Sequence, residues 1–169
     1  MKPHYLVTRV GLEPPALETS QSNMTWWKSE QDQTWRAYAE DALHPSCDVS
    51  ELHLLTALQG PNHGDVCNYH YIVETDISTA SQDEFNAWYD TEHLPGLALV
   101  PGTVSAKRYL RVSGSPRYIA CYELLSPSVM ESKEWLAIRH TAWSSRVRPM
   151  FMNTVRQLFV RHTPQHSHD

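Results

Sequence analysis

The side chains in this sequence that could move a proton or steady a negative charge gather in a few short stretches. His93 follows Asp90 and Glu92 within Trp88-Tyr89-Asp90-Thr91-Glu92-His93. An imidazole titrating near neutrality suits general acid/base work, and a helix C-terminus would favour its charged form. Tyr109, Tyr118 and Tyr122, with Arg108, form a second set. A phenol can donate to a developing enolate or phenolate oxygen, and a guanidinium can fix a carboxylate through two parallel bonds. His70 and Glu74 form a third, on one face of a strand. They are a base and an anionic orienter if that face lines a cavity; otherwise the buried Glu needs a partner.

Each set also has a plainer use. His93 could pack against its helix end and bond a carbonyl. Tyrosines on strands usually supply packing area, with the hydroxyl bonded to backbone. Trp88 and Tyr89 share a stripe with His93 and count as substrate-contacting candidates, although a tryptophan on a helix is ordinarily core. Arg146 and Arg148 could attract an anionic substrate, or simply join surface ion pairs.

Other chemistries leave no mark. There is no GxGxxG or GxxxxGK[ST] phosphate cradle, no G-x-S-x-G, and no set of ligands at metal spacing. Cys47, Cys67 and Cys121 are odd in number and widely separated, which fits reduced thiols in a cytoplasmic protein rather than a disulfide framework. His162, His166 and His168 fall in a polar tail. No metal or other cofactor is expected; haem would need only one axial His, and no motif favours it.

The elements that must position these residues can be read from residue 66 onward. Gly60-Pro61-Asn62-His63-Gly64 is a loop. Residues 69–75 (YHYIVET) are β-branched and aromatic, as a strand requires. Ser81 and Glu84 match a capping box, and the following helix places Phe85, Trp88, Tyr89, Glu92 and His93 on one stripe until Leu94-Pro95-Gly96 ends it. Strands follow over 103–111 and 117–124, with Ser113–Pro116 as the turn between them. Ser126-Pro127 opens a helix that runs to about His140, interrupted near Ser132 and resuming over Trp143–Val147. The last strand spans 153–161. The order is β-α-β-β-α-β, the split βαβ of ferredoxin-like folds.

Both alternating sets of 117–124 are largely apolar, so both faces of this sheet should be covered. Two helices can cover only one. The other must meet a second sheet, from another subunit or from residues 1–65. Within 1–65 we expect a strand at 4–10, a loop over Glu13–Asn23, a helix at 24–43 and a strand at 52–58. That is a βαβ-like extension too short for a complete second copy of the unit at 66–162. Residues 163–169 read as a flexible tail.

The stretch FNAWYDTEHLPGLALVPGTVSAKRYLRVSGSPRYIACYELLSPSVMES resembles the EthD-like family of dimeric α+β barrel proteins. The blocks are Trp88–Pro95 (W-Y-x-x-E-H-L-P), Val100-Pro101-Gly102, Ala106–Tyr109 (A-x-R-Y) and Tyr118–Leu124 (Y-x-A-x-Y-E-L). The resemblance covers 66–162. It implies an α+β fold in which a ferredoxin-like unit packs sheet to sheet with a partner, as a homodimer, and places His93 near the barrel mouth. It also implies a toolkit of isomerisation, dehydration, decarboxylation or cofactor-free oxygenation. The long N-terminal segment departs from the family pattern and could stand in for the second subunit.

The 169 residues carry 14 Lys and Arg against 19 Asp and Glu, a net charge of −5. That sign argues against a phosphate-backbone partner, so no nucleic acid is expected. No apolar run approaches the roughly eighteen residues of a membrane span. A small molecule is the expected partner: an aromatic, polyketide-like or lactone substrate for an enzyme, with His93, Tyr109 and Tyr122 catalytic. A non-catalytic ligand-binding or accessory protein would use the same cavity. A barrel filled with side chains would be purely structural, and a cavity of roughly 300 Å3 or more separates that case from the other two.

Overall fold

A computed structural model describes residues 3–13, 24–40 and 47–163. Eight strands form one closed, wholly antiparallel barrel: β1 (His4–Val10), β2 (Trp27–Ser29), β3 (Thr34–Ala39), β4 (Asp48–Gln59), β5 (Tyr69–Asp76), β6 (Thr103–Arg111), β7 (Tyr118–Leu124) and β8 (Met152–Arg161). Around the barrel the order is β1-β3-β2-β8-β5-β7-β6-β4. The C-terminal strands β5–β8 match the sequence reading to within about one residue. Their order, β8-β5-β7-β6, is the ferredoxin-like order 4-1-3-2.

The N-terminal half differs from its expectation. Where a helix is expected over 24–43, the described residues to Glu40 form the β2–β3 hairpin; residues 41–43 lie outside the described residues, as do most of the Glu13–Asn23 loop and the 164–169 tail. Local side-chain bonds explain the change. Ser29 Oγ accepts from the amides of Gln31 and Asp32 at 3.1 and 3.3 Å, and Asp32 Oδ1 accepts from Thr34 N at 2.9 Å. Such bonds give the backbone an alternative to helix. Beyond the turn the pattern alternates. Trp35, Ala37 and Ala39 pack with Val7 and Trp26, while Arg36 and Tyr38 reach Glu74 and His70 across the lumen.

With β2 and β3 as strands, the N-terminal half is a four-stranded sheet in the order β4-β1-β3-β2. This is again 4-1-3-2, not a truncated βαβ. The second strand of each half pairs with the fourth of the other, β2 with β8 and β6 with β4. The sheet face expected to meet a second sheet, from another subunit or from residues 1–65, is thus met by β1–β4 of the same chain.

Short helices cover the outer face of β5–β8: α1 (Gln82–Trp88), α2 (Leu94–Ala98), α3 (Lys133–Arg139) and α4 (Ala142–Val147). Ser126 and Ser132 cap as expected, whereas Ser81 makes no capping bond and is itself helical. The first helical segment does not stop at Pro95. Between α1 and α2 the turn Tyr89–His93 widens, and Leu94 N–H bonds the Tyr89 carbonyl five residues back. A widened turn admits a proline whose ring would otherwise meet the carbonyl four residues earlier.

Both faces of β7 are buried, as its composition requires. Tyr118, Ala120, Tyr122 and Leu124 join Phe85, Trp88 and Trp135 under the helices, and Ile119 and Cys121 join Leu6, Leu52, Ile72 and Phe159 inside the barrel. Each fully buried side chain of this size contributes about 1.5–3 kcal/mol. No helix among the described residues is long and apolar enough to cross a membrane.

Candidate functional site

The sheet divides the sequence candidates between two places. His93, Tyr122, Trp88, Tyr89, Arg108 and Tyr118 lie on the helix side; His70, Glu74 and Tyr109 lie on the lumen side. The period-2 alternation of β6 separates Arg108 from Tyr109, and that of β7 sends Tyr118 and Tyr122 together under the helices.

On the helix side the packing is tight. His93 stacks on Trp88 with ring centroids 4.1 Å apart and meets the Tyr89 edge at 5.3 Å. It lies within the continuing helical path rather than at a helix end, so the expected dipole stabilisation of a cation is lost. Burial, then Arg148, Arg139 and Arg108, push its pKa down to about 3. Arg108 is held by Asp90 Oδ1 at 2.8 Å and Asn86 Oδ1 at 2.7 Å, with its guanidinium 4.3 Å from the Tyr89 ring centre. Tyr118 accepts a 2.7 Å bond from Gln82. The crevice beside His93 and Tyr122 measures about 40 Å3, room for little more than a water molecule.

The lumen is different: a cavity of about 720 Å3 opens inside the barrel, well within the range of small-molecule sites. Trp27, Tyr38 and Tyr109 supply aromatic walls, and His70, Lys107, Glu123 and Arg161 supply polar groups. Tyr38 and Tyr109 stack at 5.7 Å, and Trp27 stacks on His70 at 5.0 Å. Tyr38 Oη lies 2.9 Å from His70 Nε2. His70 and Glu123 are direct partners in the β5–β7 ladder, as are Ser105 and Glu123 between β6 and β7. Ser105 Oγ donates to Glu123 at 2.9 Å. Four strands therefore bring Tyr38, His70, Ser105 and Glu123 to one part of the lumen.

Electrostatics fix the role of each group. Burial, with Arg36 and Lys107 adding, pushes the His70 pKa down to about 3, so its imidazole is neutral. Nδ1 of His70 is buried without a hydrogen-bond partner. An unpaired acceptor is tolerated better than an unpaired N–H, which favours the tautomer whose Nε2–H donates to Tyr38. The Tyr38 hydroxyl hydrogen then has the Cys121 sulfur as its protein partner, and an oxygen in the cavity would compete for it. Burial holds the Tyr38 phenol well above its usual range and raises Tyr109 beyond it too, so both stay protonated donors. Cys121, which also lines the cavity, is raised by burial to about 12 and is no nucleophile.

Glu74 is not an orienter for His70. Its carboxylate takes Arg36 at 2.8 Å and Arg111 at 2.9 Å in a fully buried triad. Arg36 keeps Nε and Nη1 unpartnered, and its guanidinium sits 5.3 Å from the Phe159 ring centre. Tyr38, Glu123 and Lys107 went unnoticed in the sequence. Tyr38 lies where a helix was expected, and Glu123 and Lys107 look like ordinary strand charges until the ladder places them inward. Among the described residues, no group of three or more His, Cys, Asp or Glu could hold a metal ion.

Comparison with known proteins bears on the fold. No protein-family model and no curated relative matches the chain. Solved structures do. A monooxygenase-like protein from Listeria innocua matches with a TM-score of 0.65 at 12% identity, over 97% of this chain and 95% of its own. A ferredoxin-fold protein from Listeria monocytogenes 4b F2365, related to antibiotic biosynthesis monooxygenases, gives 0.64 at 9% identity over 96% of each chain. An anthrone oxidase-like protein gives 0.59 at 12% identity, over 96% of this chain and 92% of its own. The fold is theirs. The match extends over both halves of the barrel, so the N-terminal sheet is part of the shared architecture.

Proposed function

We propose that this protein is a small-molecule enzyme that binds a flat aromatic or polyketide-like carbon acid in the barrel lumen and converts it to its enolate. The observation that carries the reading is the 720 Å3 cavity with the His70–Tyr38 pair and Glu123 on its wall. The aromatic walls suit a planar ring system. The substrate carbonyl oxygen would accept from the Tyr38 hydroxyl, which His70 holds in place from behind. Glu123 would take the α-proton, and Lys107 would offset the developing negative charge. His70 is thus a positioning residue, and its low pKa is an asset because it stays a neutral donor.

An enolate of this kind can react onward with dioxygen without a cofactor. For anthrone, one molecule and one O2 balance to anthraquinone and one water, the methylene carbon being oxidised and the oxygen reduced. The monooxygenase-like and anthrone oxidase-like neighbours support that direction, as does the EthD-like look of 66–162. The test is deuterium exchange at the anthrone methylene, followed with wild type and with Tyr38→Phe, Glu123→Gln and His93→Gln. Loss of one oxyanion donor should slow exchange about 10²-fold or more, and loss of the base by about 10²–10⁴-fold. His93→Gln should stay within a few-fold of wild type. Binding with no exchange by wild type would make the protein a ligand-binding or accessory module instead.

A further inference from the structure

A second place in the fold carries positive charge that no carboxylate among the described residues answers. Arg139 at the end of α3, Arg148 just after α4 and Arg156 on β8 all line the crevice beside His93. None of the three pairs with a carboxylate among the described residues. The strongest influences on Arg148 are, after burial, the like charges of Arg139 and Arg156, opposed by the phenols of Tyr71 and Tyr89. Those phenols are themselves raised by burial and remain neutral. His93, 9% exposed, lines the same crevice, and its buried Nδ1 has no partner.

Three guanidinium groups around one crevice, that of Arg156 exposed and those of Arg139 and Arg148 half-buried, repel one another. The repulsion is relieved by an anion. We propose that this crevice is a binding site for a dianionic tetrahedral oxyanion of the phosphate-monoester class, separate from the lumen. The crevice, about 40 Å3 in all, admits one oxygen of the anion beside His93, and the rest of the anion sits at its mouth. The remaining oxygens meet the guanidinium forks of Arg139, Arg148 and Arg156, whose planar geometry matches phosphate. Two negative charges answer three positive ones better than a carboxylate does. Tyr71 and Trp135 beside the crevice would meet an aryl group if the phosphate is carried on one.

Calorimetric titration at about pH 8, above the second ionisation near 6 of a phosphate monoester, tests this with inorganic phosphate, phenyl phosphate and acetate at matched ionic strength. The expected result is saturable binding of both phosphates and not of acetate. Tighter binding of phenyl phosphate would identify an aryl ester as the ligand; equal binding would identify free phosphate. Arg139→Gln and Arg148→Gln should each weaken binding by at least about tenfold, the loss of one charge-assisted bond. Arg148→Lys keeps the charge and should lose less. Lys133→Gln, an equal change of charge on exposed α3, and Tyr38→Phe in the lumen should leave binding within about twofold. Absence of saturable phosphate binding, or equal weakening by Lys133→Gln, would overturn the proposal.

Discussion

Glu74→Gln is the substitution whose cost follows most directly from the structure. Glu74 is 3% exposed and is the anion shared by Arg36 and Arg111. The glutamine is nearly isosteric, so no cavity forms and the change is one of charge. Arg111 keeps a backbone partner in the Pro116 carbonyl. Arg36 keeps at most a bond to the neutral glutamine oxygen, since Nε and Nη1 are already unpartnered and Nη2 bonds Glu74. Breaking a buried pair from one side costs about 3–5 kcal/mol, a large share of the 5–15 kcal/mol typical of a domain. With about 2–4 °C of melting temperature per kcal/mol at this size, Tm should fall by roughly 10 °C. Urea denaturation with matched m-values measures the loss. A change under about 1 kcal/mol would show that the triad is hydrated and exchangeable, and the buried Arg36–Glu74–Arg111 triad described above would be wrong.

Acid sensitivity follows from the two buried histidines. The pKa of His70 and of His93 falls from the ordinary 6.5 to about 3 on folding. A proton therefore prefers the unfolded chain, and stability is complete above pH 6.5 and lost as pH falls from there toward 3. Each histidine adds a slope of about 1.4 kcal/mol per pH unit in that window. The stability difference between wild type and His93→Gln should accordingly shrink as pH drops from 6.5 to 4.5; a constant difference would mean that His93 is solvated. Gly60→Ala should destabilise by about 2 kcal/mol or more, read as a lower urea midpoint, because its Cβ would lie 2.0 Å from the Thr103 carbonyl oxygen. An unchanged midpoint would show that the loop shifts freely.

How much of this was legible in the sequence depended on which force decided each element. β5 to β8 and their helices follow local signals: β-branched runs, Ser126-Pro127, and the two apolar faces of β7. The hairpin at 27–39 does not. Trp27, Trp35, Tyr38 and Ala39 fit a helical stripe as well as alternating strands, and the Ser29 and Asp32 side-chain bonds that settle the matter are visible only once formed. The same misreading hid Tyr38 and left the N-terminal half one hairpin short of a full sheet. Among the site residues, His70 was recognisable by type and shares a strand face with Glu74, but the direction of that face was open in the sequence. Its partner Glu74 was recognisable too, but Arg36 and Arg111, far away in sequence, claim its charge. His93 stood out by its motif, yet the chain continues as helix through Pro95 and buries it against Trp88. Spacing along the chain cannot show that a cavity of about 720 Å3 lies on the other side of the sheet.

The most direct test of the account is a crystal structure of the protein with a bound aromatic ketone such as anthrone. The predicted result is ligand density inside the barrel, with the carbonyl oxygen within hydrogen-bonding distance of Tyr38 Oη and the acidic carbon facing Glu123. Density between the helices and the outer sheet face, beside His93 and Tyr122, with the lumen unoccupied, would contradict it.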